Sequence, residues 1–256
     1  MDRKNIDHFV FDEEVGLFKN LTTSEYIHCE WRGDFFEGLA VIQYEHRYYG
    51  FVDKNNTLVI PFKWRDAHNF SEGLAAVKGD NDKWGFIDKR GDVVSPCMWW
   101  YVHDFSDGLA KVVDEDLKMG YINKTGKLVI PCQAWDDAED FHEGMAAVSP
   151  GFLWGFINKK GELVIPDKWD IVNPFSEGLA RVYNGHAWGY INKSGELVSP
   201  CKWDLAEDFL NGIAYVKDDY DERRTWGIID KTGKIVEPCQ WSDEIVVSRK
   251  KRSNQN

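Results

Sequence analysis

The stretch Phe70-Ser71-Glu72-Gly73-Leu74-Ala75, followed nine residues later by Trp84-Gly85-Phe86-Ile87, is the unit from which nearly the whole chain is built. Its first glycine recurs as Gly38, Gly73, Gly108, Gly144, Gly178 and Gly212, at spacings of 35, 35, 36, 34 and 34 residues. The glycine of the Trp-Gly pair recurs as Gly50, Gly85, Gly120, Gly155, Gly189 and Gly227. Two independent landmarks that keep one period of this size define a tandem repeat, built as an array or a propeller.

Within one unit, Gly108 to Val112, Gly120 to Ile122 and Lys127 to Ile130 are short runs rich in β-branched and aromatic residues, separated by turn chemistry. They read as three strands, and no stretch sustains a helical stripe. Between the second and third strands lie Asp88-Lys89-Arg90-Gly91, Asn123-Lys124-Thr125-Gly126, Asn158-Lys159-Lys160-Gly161, Asn192-Lys193-Ser194-Gly195 and Asp230-Lys231-Thr232-Gly233. Each is read as a hairpin loop, opened by an Asp or Asn that bonds the backbone ahead and closed by a left-handed glycine; Asn56 stands in for that glycine in the first copy. Pro61, Pro96, Pro131, Pro166, Pro200 and Pro238 are expected to end the third strand. The connector that follows is open to three readings: irregular chain, a short fourth strand or a helical turn.

The fold class expected is therefore all-β: three-stranded antiparallel meanders in an open superhelical stack. The alternative is a closed propeller in which Ile245-Val246-Val247 supplies a missing strand. Residues 1–34 read as a degenerate N-terminal half-repeat or cap, residues 35–247 as six repeats, and residues 248–256 as a basic disordered tail.

The chain of 256 residues carries a net charge of −12. Four of its 31 basic residues, Arg249, Lys250, Lys251 and Arg252, sit in the tail, which leaves 27 against 43 acidic residues and a net of −16 over residues 1–247. Such a body repels nucleic acid and anionic membranes. No apolar run has the length of a membrane span, and the start Met1 to His8 lacks an apolar signal core, so a cytoplasmic location is expected, with an envelope or exported location as the alternative.

Eleven of the twelve Trp fall at repeat positions. Trp84, Trp154, Trp188 and Trp226 precede the glycine, Trp31, Trp64, Trp99, Trp135, Trp169, Trp203 and Trp241 follow the proline, and Trp100 alone is off the pattern. Apolar Tyr49 and Met119 replace Trp in two copies, so the patterned Trp read as anchors between repeats rather than stacking platforms. Cys29, Cys97, Cys132, Cys201 and Cys239 share one repeat position, with no C-x-x-C pair for zinc, and read as small, mostly buried thiols in a reducing compartment. The acidic series Glu37, Glu72, Asp107, Glu143 and Glu177, continued by Asn211, reads as a turn or capping acceptor. No nucleophile elbow, P-loop, dinucleotide fingerprint or H-E-x-x-H motif occurs, so no catalytic residue, metal site or cofactor is expected.

Trp84 to Lys89, Trp154 to Lys159 and Trp188 to Lys193, with the preceding F-S-E-G-L-A segments, resemble the bacterial WG-repeat family, also called KWG repeats. The resemblance implies a β-repeat scaffold for interaction and supplies no catalytic residues. Function then falls to the loops between first and second strands, which the repeat does not constrain. The candidate binding residues are Asp80, Asp82, Asp114, Glu115, Phe152, Tyr183, His186, Tyr220, Arg223 and Arg224. The partner expected is a protein, and a basic one. Glycan or small-ligand binding on exposed Trp faces is the alternative, and a hydrolase with gathered carboxylates is the weaker one. If the patterned Trp are anchors, replacing Trp154 by Ala costs about 3–5 kcal/mol, measurable as a lowered urea midpoint.

Overall fold

The computed structural model describes residues 9–12, 17–20, 24, 26–27, 29–31, 34–45, 47–218, 225–243 and 245–246. It forms two compact units, residues 1–134 and 135–256.

The first unit begins with a three-stranded sheet of β1 (Phe9–Asp12), β2 (Leu17–Asn20) and β3 (Tyr26–Ile27). Three four-stranded sheets follow. One comprises β4 (Cys29–Trp31), β5 (Leu39–Tyr44), β6 (Tyr48–Asp53) and β7 (Leu58–Trp64). The next comprises β8 (Asp66–Ala67), β9 (Leu74–Lys78), β10 (Trp84–Asp88) and β11 (Val93–Trp99). The last comprises β12 (Tyr101–Val102), β13 (Leu109–Val113), β14 (Met119–Asn123) and β15 (Leu128–Gln133). The second unit repeats the plan. Its sheets are β16 (Asp137–Ala138), β17 (Met145–Ser149), β18 (Trp154–Asn158) and β19 (Leu163–Trp169); β20 (Ile171–Val172), β21 (Leu179–Tyr183), β22 (Trp188–Asn192) and β23 (Leu197–Trp203); and β24 (Leu205–Ala206), β25 (Ile213–Lys217), β26 (Trp226–Asp230) and β27 (Ile235–Trp241).

Every sheet is an antiparallel meander in chain order, and among the described residues none closes on itself into a barrel. The all-β repeat array expected from the sequence is what the chain forms, with one addition. The connector supplies a two-residue fourth strand that pairs with the first long strand of its sheet, as Asp66↔Lys78 and Ala67↔Val77 show. The first four-stranded sheet thus starts at Cys29 and runs across residue 34.

The prolines do not end their strands. β11 runs through Pro96 to Trp99, and the register against β10 slips between Phe86↔Ser95 and Trp84↔Trp99. Two extra residues on the edge strand are absorbed there in a bulge, and the proline sits in it without breaking a ladder bond. The bulge folds over the glycine opposite. A Cβ on Gly85 would lie 2.5 Å from the Ser95 carbonyl oxygen and 2.8 Å from the Cys97 nitrogen. The Trp-Gly glycine and the third-strand proline are thus two sides of one device.

The hairpin loops form as read. Asp88 Oδ1 accepts from the backbone N–H of Arg90 and Asp92, and Gly91 closes the turn at φ 84°. At the other end of the chain, Ile245 and Val246 lie in a helical turn whose N–H groups reach the Ser242 carbonyl, so the strand that a closed propeller would draw from them does not form. Val247 and the basic tail lie outside the described residues.

The core lies between sheets rather than within them. Along β9, Leu74 and Ala76 face forward and join Trp84, Phe86 and Trp99 against Val102, Phe105, Ala110, Val112 and Ile122 of the following sheet. Ala75, Val77 and Ile87 face backward onto Tyr49, Phe51, Ile60 and Trp64. The second unit repeats this, with Phe156, Ile165 and Trp169 against Phe175, Ala180, Val182 and Ile191. Strands buried on both faces read as unbroken apolar runs, which is why G-L-A-x-V lacks alternation. Trp64, Trp84, Trp99, Trp154, Trp169, Trp188 and Trp203 are therefore inter-repeat anchors.

The sequence inserts one residue, Ala134, between the proline and the Trp of the fourth sheet, and the division between the two units falls directly after it. The bulge gives a sharp test of the glycine rule. Gly155→Ala places a Cβ 2.5 Å from the Ile165 carbonyl oxygen and is expected to cost about 1–3 kcal/mol in urea denaturation. Gly151→Ala meets nothing within 4 Å and is expected to stay within about 0.5 kcal/mol.

Candidate functional site

Each repeat has two ends, and they differ in kind. One carries the Glu-Gly turn and the second hairpin loop. Phe36 and Leu39 exchange two backbone hydrogen bonds around Glu37 and Gly38, both at positive φ (50° and 92°), which is a two-residue type I′ turn. Asn is the usual first residue of such a turn, and a left-handed Glu there is strained. Its carboxylate supplies the offset. Glu37 Oε2 accepts from the Gly73 N–H of the next turn at 2.9 Å and pairs with Lys89 Nζ at 3.0 Å. Glu72 does the same with Gly108 and Lys124, and Glu143 with Gly178 and Lys193. Glu177 accepts from both Asn211 and Gly212.

The rest of the motif also links forward. Ser71 Oγ donates to the Phe105 carbonyl oxygen, and Ser176 Oγ to that of Phe209, both at 2.8 Å. Phe70 meets Phe51 of the preceding sheet edge-on at 4.9 Å, as Phe105 meets Phe86. F-S-E-G is therefore a splice between repeats.

Burial works against ionisation of Glu37, yet the hydrogen bonds from Lys89 and the Gly73 N–H outweigh it and hold the carboxyl below its ordinary range. Glu143 is lowered in the same way by Gly178 and Lys193 against its burial. A further link is ionisable near neutrality. His68 Nδ1 lies 2.8 Å from Asp104 Oδ1, and that hydrogen bond raises the imidazole pKa although burial opposes it. Arg181 makes the equivalent bridge to Asp208, at 2.8 Å.

The other end carries the variable loops, and here the candidate residues divide. Asp114 caps its own loop, accepting from the N–H of Asp116 and Lys118. Asp80 is bridged to Arg65 at 2.8 Å. Asp82 is well exposed, 3.6 Å from Lys78, and Glu115 is exposed. In the second unit Phe152 is 98% exposed at the tip of its loop. Tyr183 meets Trp188 in a tilted ring contact at 5.2 Å, and His186 is exposed beside the cap made by Asn184. Tyr220, Arg223 and Arg224 lie outside the described residues.

The fold leaves large apolar side chains at the same end that were not among the candidates. Met98, Trp100 and Tyr101 flank buried Trp99 and are 56%, 57% and 47% exposed, and Leu117 is 62% exposed. Lys83 of the preceding loop holds its ammonium 4.6 Å from the Trp100 ring centroid. The signal for Trp100 was its place as the one Trp off the repeat pattern.

The five cysteines form no disulfide and are half-buried, and Cys97, Cys132, Cys201 and Cys239 lie beside the bulge. Burial pushes the Cys29 thiol up to about 12 and, with Asp114 nearby, that of Cys132 to about 11, so both stay protonated. Among the described residues no group of His, Cys, Asp and Glu is arranged to hold a metal ion.

A family model described as WG containing repeat matches residues 49–84, 84–117, 119–149, 154–185, 188–220 and 226–243, and the chain belongs to that family. No curated protein matches it. Among solved structures it is similar to the computationally designed Ika8 protein, with a TM-score of 0.48 and 10% identity over 91% of this chain and 81% of that one. It is also similar to BamB from Moraxella catarrhalis, with a TM-score of 0.43 and 12% identity over 78% and 70% of the two chains. The WD40 β-propeller domain of Doa1 matches at a TM-score of 0.35 and 12% identity, over 84% and 86%.

The raised pKa of His68 fixes the sign of one measurement. Its bond to Asp104 stabilises the fold fully below the unfolded value of about 6.5, and that contribution is lost as pH rises through the folded value. The melting temperature of the wild type should exceed that of Asp104→Asn most at pH 5–6, and the gap should narrow by about pH 9. The lowered carboxyls act at the acid end: the stability from Glu37 and Glu143 is present above about pH 4.3 and is lost as pH falls through their folded values.

Proposed function

We propose that this chain is a non-catalytic binding scaffold that recognises a protein partner through its variable-loop end. One observation carries the reading. Seven of the patterned Trp, Trp64, Trp84, Trp99, Trp154, Trp169, Trp188 and Trp203, are taken up between sheets, whereas Trp100, Leu117 and Phe152, which the repeat frame does not require, stand exposed at or beside the loops between first and second strands. Exposed aromatic and aliphatic groups set among polar loops are the composition of a protein-recognition surface. Among the described residues no helix is long and apolar enough to cross a membrane. The acidic body supports a protein partner over nucleic acid, and five cysteines without a disulfide support a reducing, cytoplasmic setting.

Loops 79–83, 114–118 and 149–153 are replaced together by Gly-Ser segments, and affinity capture is compared with the wild type at matched melting temperature. A partner retained by the wild type and lost by the replacement is expected. Equal capture by both proteins would refute the loop-end assignment.

A further inference from the structure

Four exposed apolar side chains of the first unit, Met98, Trp100, Tyr101 and Leu117, lie along the chain where β11 passes into the sheet β12–β15 and in that sheet's loop 114–118. Tyr101 lies opposite Val113 in the ladder, and Val113 lies opposite Met119, so these three stand in a row across three strands. Trp100 and Leu117 flank that row, one before Tyr101 and the other two residues before Met119, and Met98 precedes buried Trp99. The backbone N–H of Trp100 donates to the Val113 carbonyl at 2.8 Å, which fixes the base of the indole at the start of loop 114–118.

Leu117 is the odd member. It is held at φ 62°, in the left-handed region, where the equivalent loop 79–83 has Asp82 at φ 58°. A branched apolar side chain gains nothing for folding by standing there exposed, and Asn, Asp or Gly would fill the turn with less strain. Local strain combined with apolar exposure points outward, to a contact made with another molecule.

The charge around the row says which molecule. Asp82, Glu115 and Asp116 are all exposed, Asp82 3.6 Å from Lys78 and Asp116 3.3 Å from Lys118, on a body whose residues 1–247 carry a net of −16. The chain's own Lys83 already shows what the indole accepts, a cation over the ring at 4.6 Å. We infer that the loop-end surface around Trp100 and Leu117 docks a basic protein segment bearing an apolar anchor, and that an Arg or Lys of this segment takes the place of Lys83 over Trp100. The inference rests on the proposed binding function and assigns its occupant in the first unit.

The probe is a displayed library of random 12-residue peptides, panned on the full chain, with the enriched peptides resynthesised and titrated by fluorescence anisotropy. Enrichment of cationic sequences that carry an aromatic or large aliphatic residue is expected, with affinity falling as salt rises. Trp100→Ala should weaken them about tenfold or more. Lys83→Ala should tighten them, because the ring face is freed. Leu117→Asn should weaken them while leaving the melting temperature unchanged or higher, which separates lost contact from lost fold.

Enrichment of neutral or acidic peptides would overturn the inference, as would cationic peptides that bind Trp100→Ala as well as the wild type. Two other occupants are read directly. Self-association in sedimentation that Trp100→Ala abolishes, or quenching of Trp fluorescence by a panel of soluble oligosaccharides that Trp100→Ala abolishes, would also overturn it. Peptides that bind the wild type and Trp100→Ala equally but lose binding when loop 149–153 is replaced would leave the loop-end function standing and remove only this face.

Discussion

The bulge of each third strand over the Trp-Gly glycine is the constraint on which the rest of the repeat depends. Two extra residues on the edge strand bring the post-proline Trp back into register opposite the Trp of the pair, as in Trp84↔Trp99, Trp154↔Trp169 and Trp188↔Trp203. Only a residue without a Cβ lets the strands close at that point. Once they close, both indoles reach the forward face, where the next sheet covers them. The β-bulge thus aims the largest side chains of each unit at the core shared with its successor.

A sheet whose two faces belong to two different cores has little stability of its own. Each repeat is completed by its neighbours, which is the logic of quasi-one-dimensional proteins. The polar links follow the same direction as the apolar ones. Glu to Gly N–H, Ser to Phe carbonyl, and His68 or Arg181 to the Asp before the next Phe all run from one repeat to the one after it. Specificity of succession is therefore written twice, in packing and in hydrogen bonds, while the loops at the far end remain free to differ.

The sequence made the period, the strand content, the hairpin loops and the anchoring role of the patterned Trp legible, because each leaves a local mark: a left-handed glycine, an Asx cap, an apolar run. The fourth strand left none, since Asp66–Ala67 and Asp137–Ala138 are too short to alternate and are defined by pairing alone. The prolines were misleading because a missing N–H ends a central strand but is harmless at a bulged edge. The Glu-Gly turn was legible as a turn and not as a splice, since its acceptor role is fulfilled 35 residues away in Gly73, Gly108, Gly178 and Gly212. At the loop end, acidic residues stood out in composition, yet Asp114 holds its own turn. The exposure of Trp100 and Leu117 follows from backbone placement that no local pattern encodes.

The splice made by each glutamate ends on a main-chain N–H, reinforced at Glu37, Glu72 and Glu143 by a lysine of the next repeat's hairpin loop. A bond to a peptide group is indifferent to which residues the neighbour carries, provided its turn keeps its shape. A unit that keeps the Glu-Gly turn, the loop lysine and the apolar packing positions can follow another with no further change to this link. A gene encoding such a chain can gain or lose whole units by unequal recombination and still specify a continuous array, so length and loop repertoire are free to evolve separately.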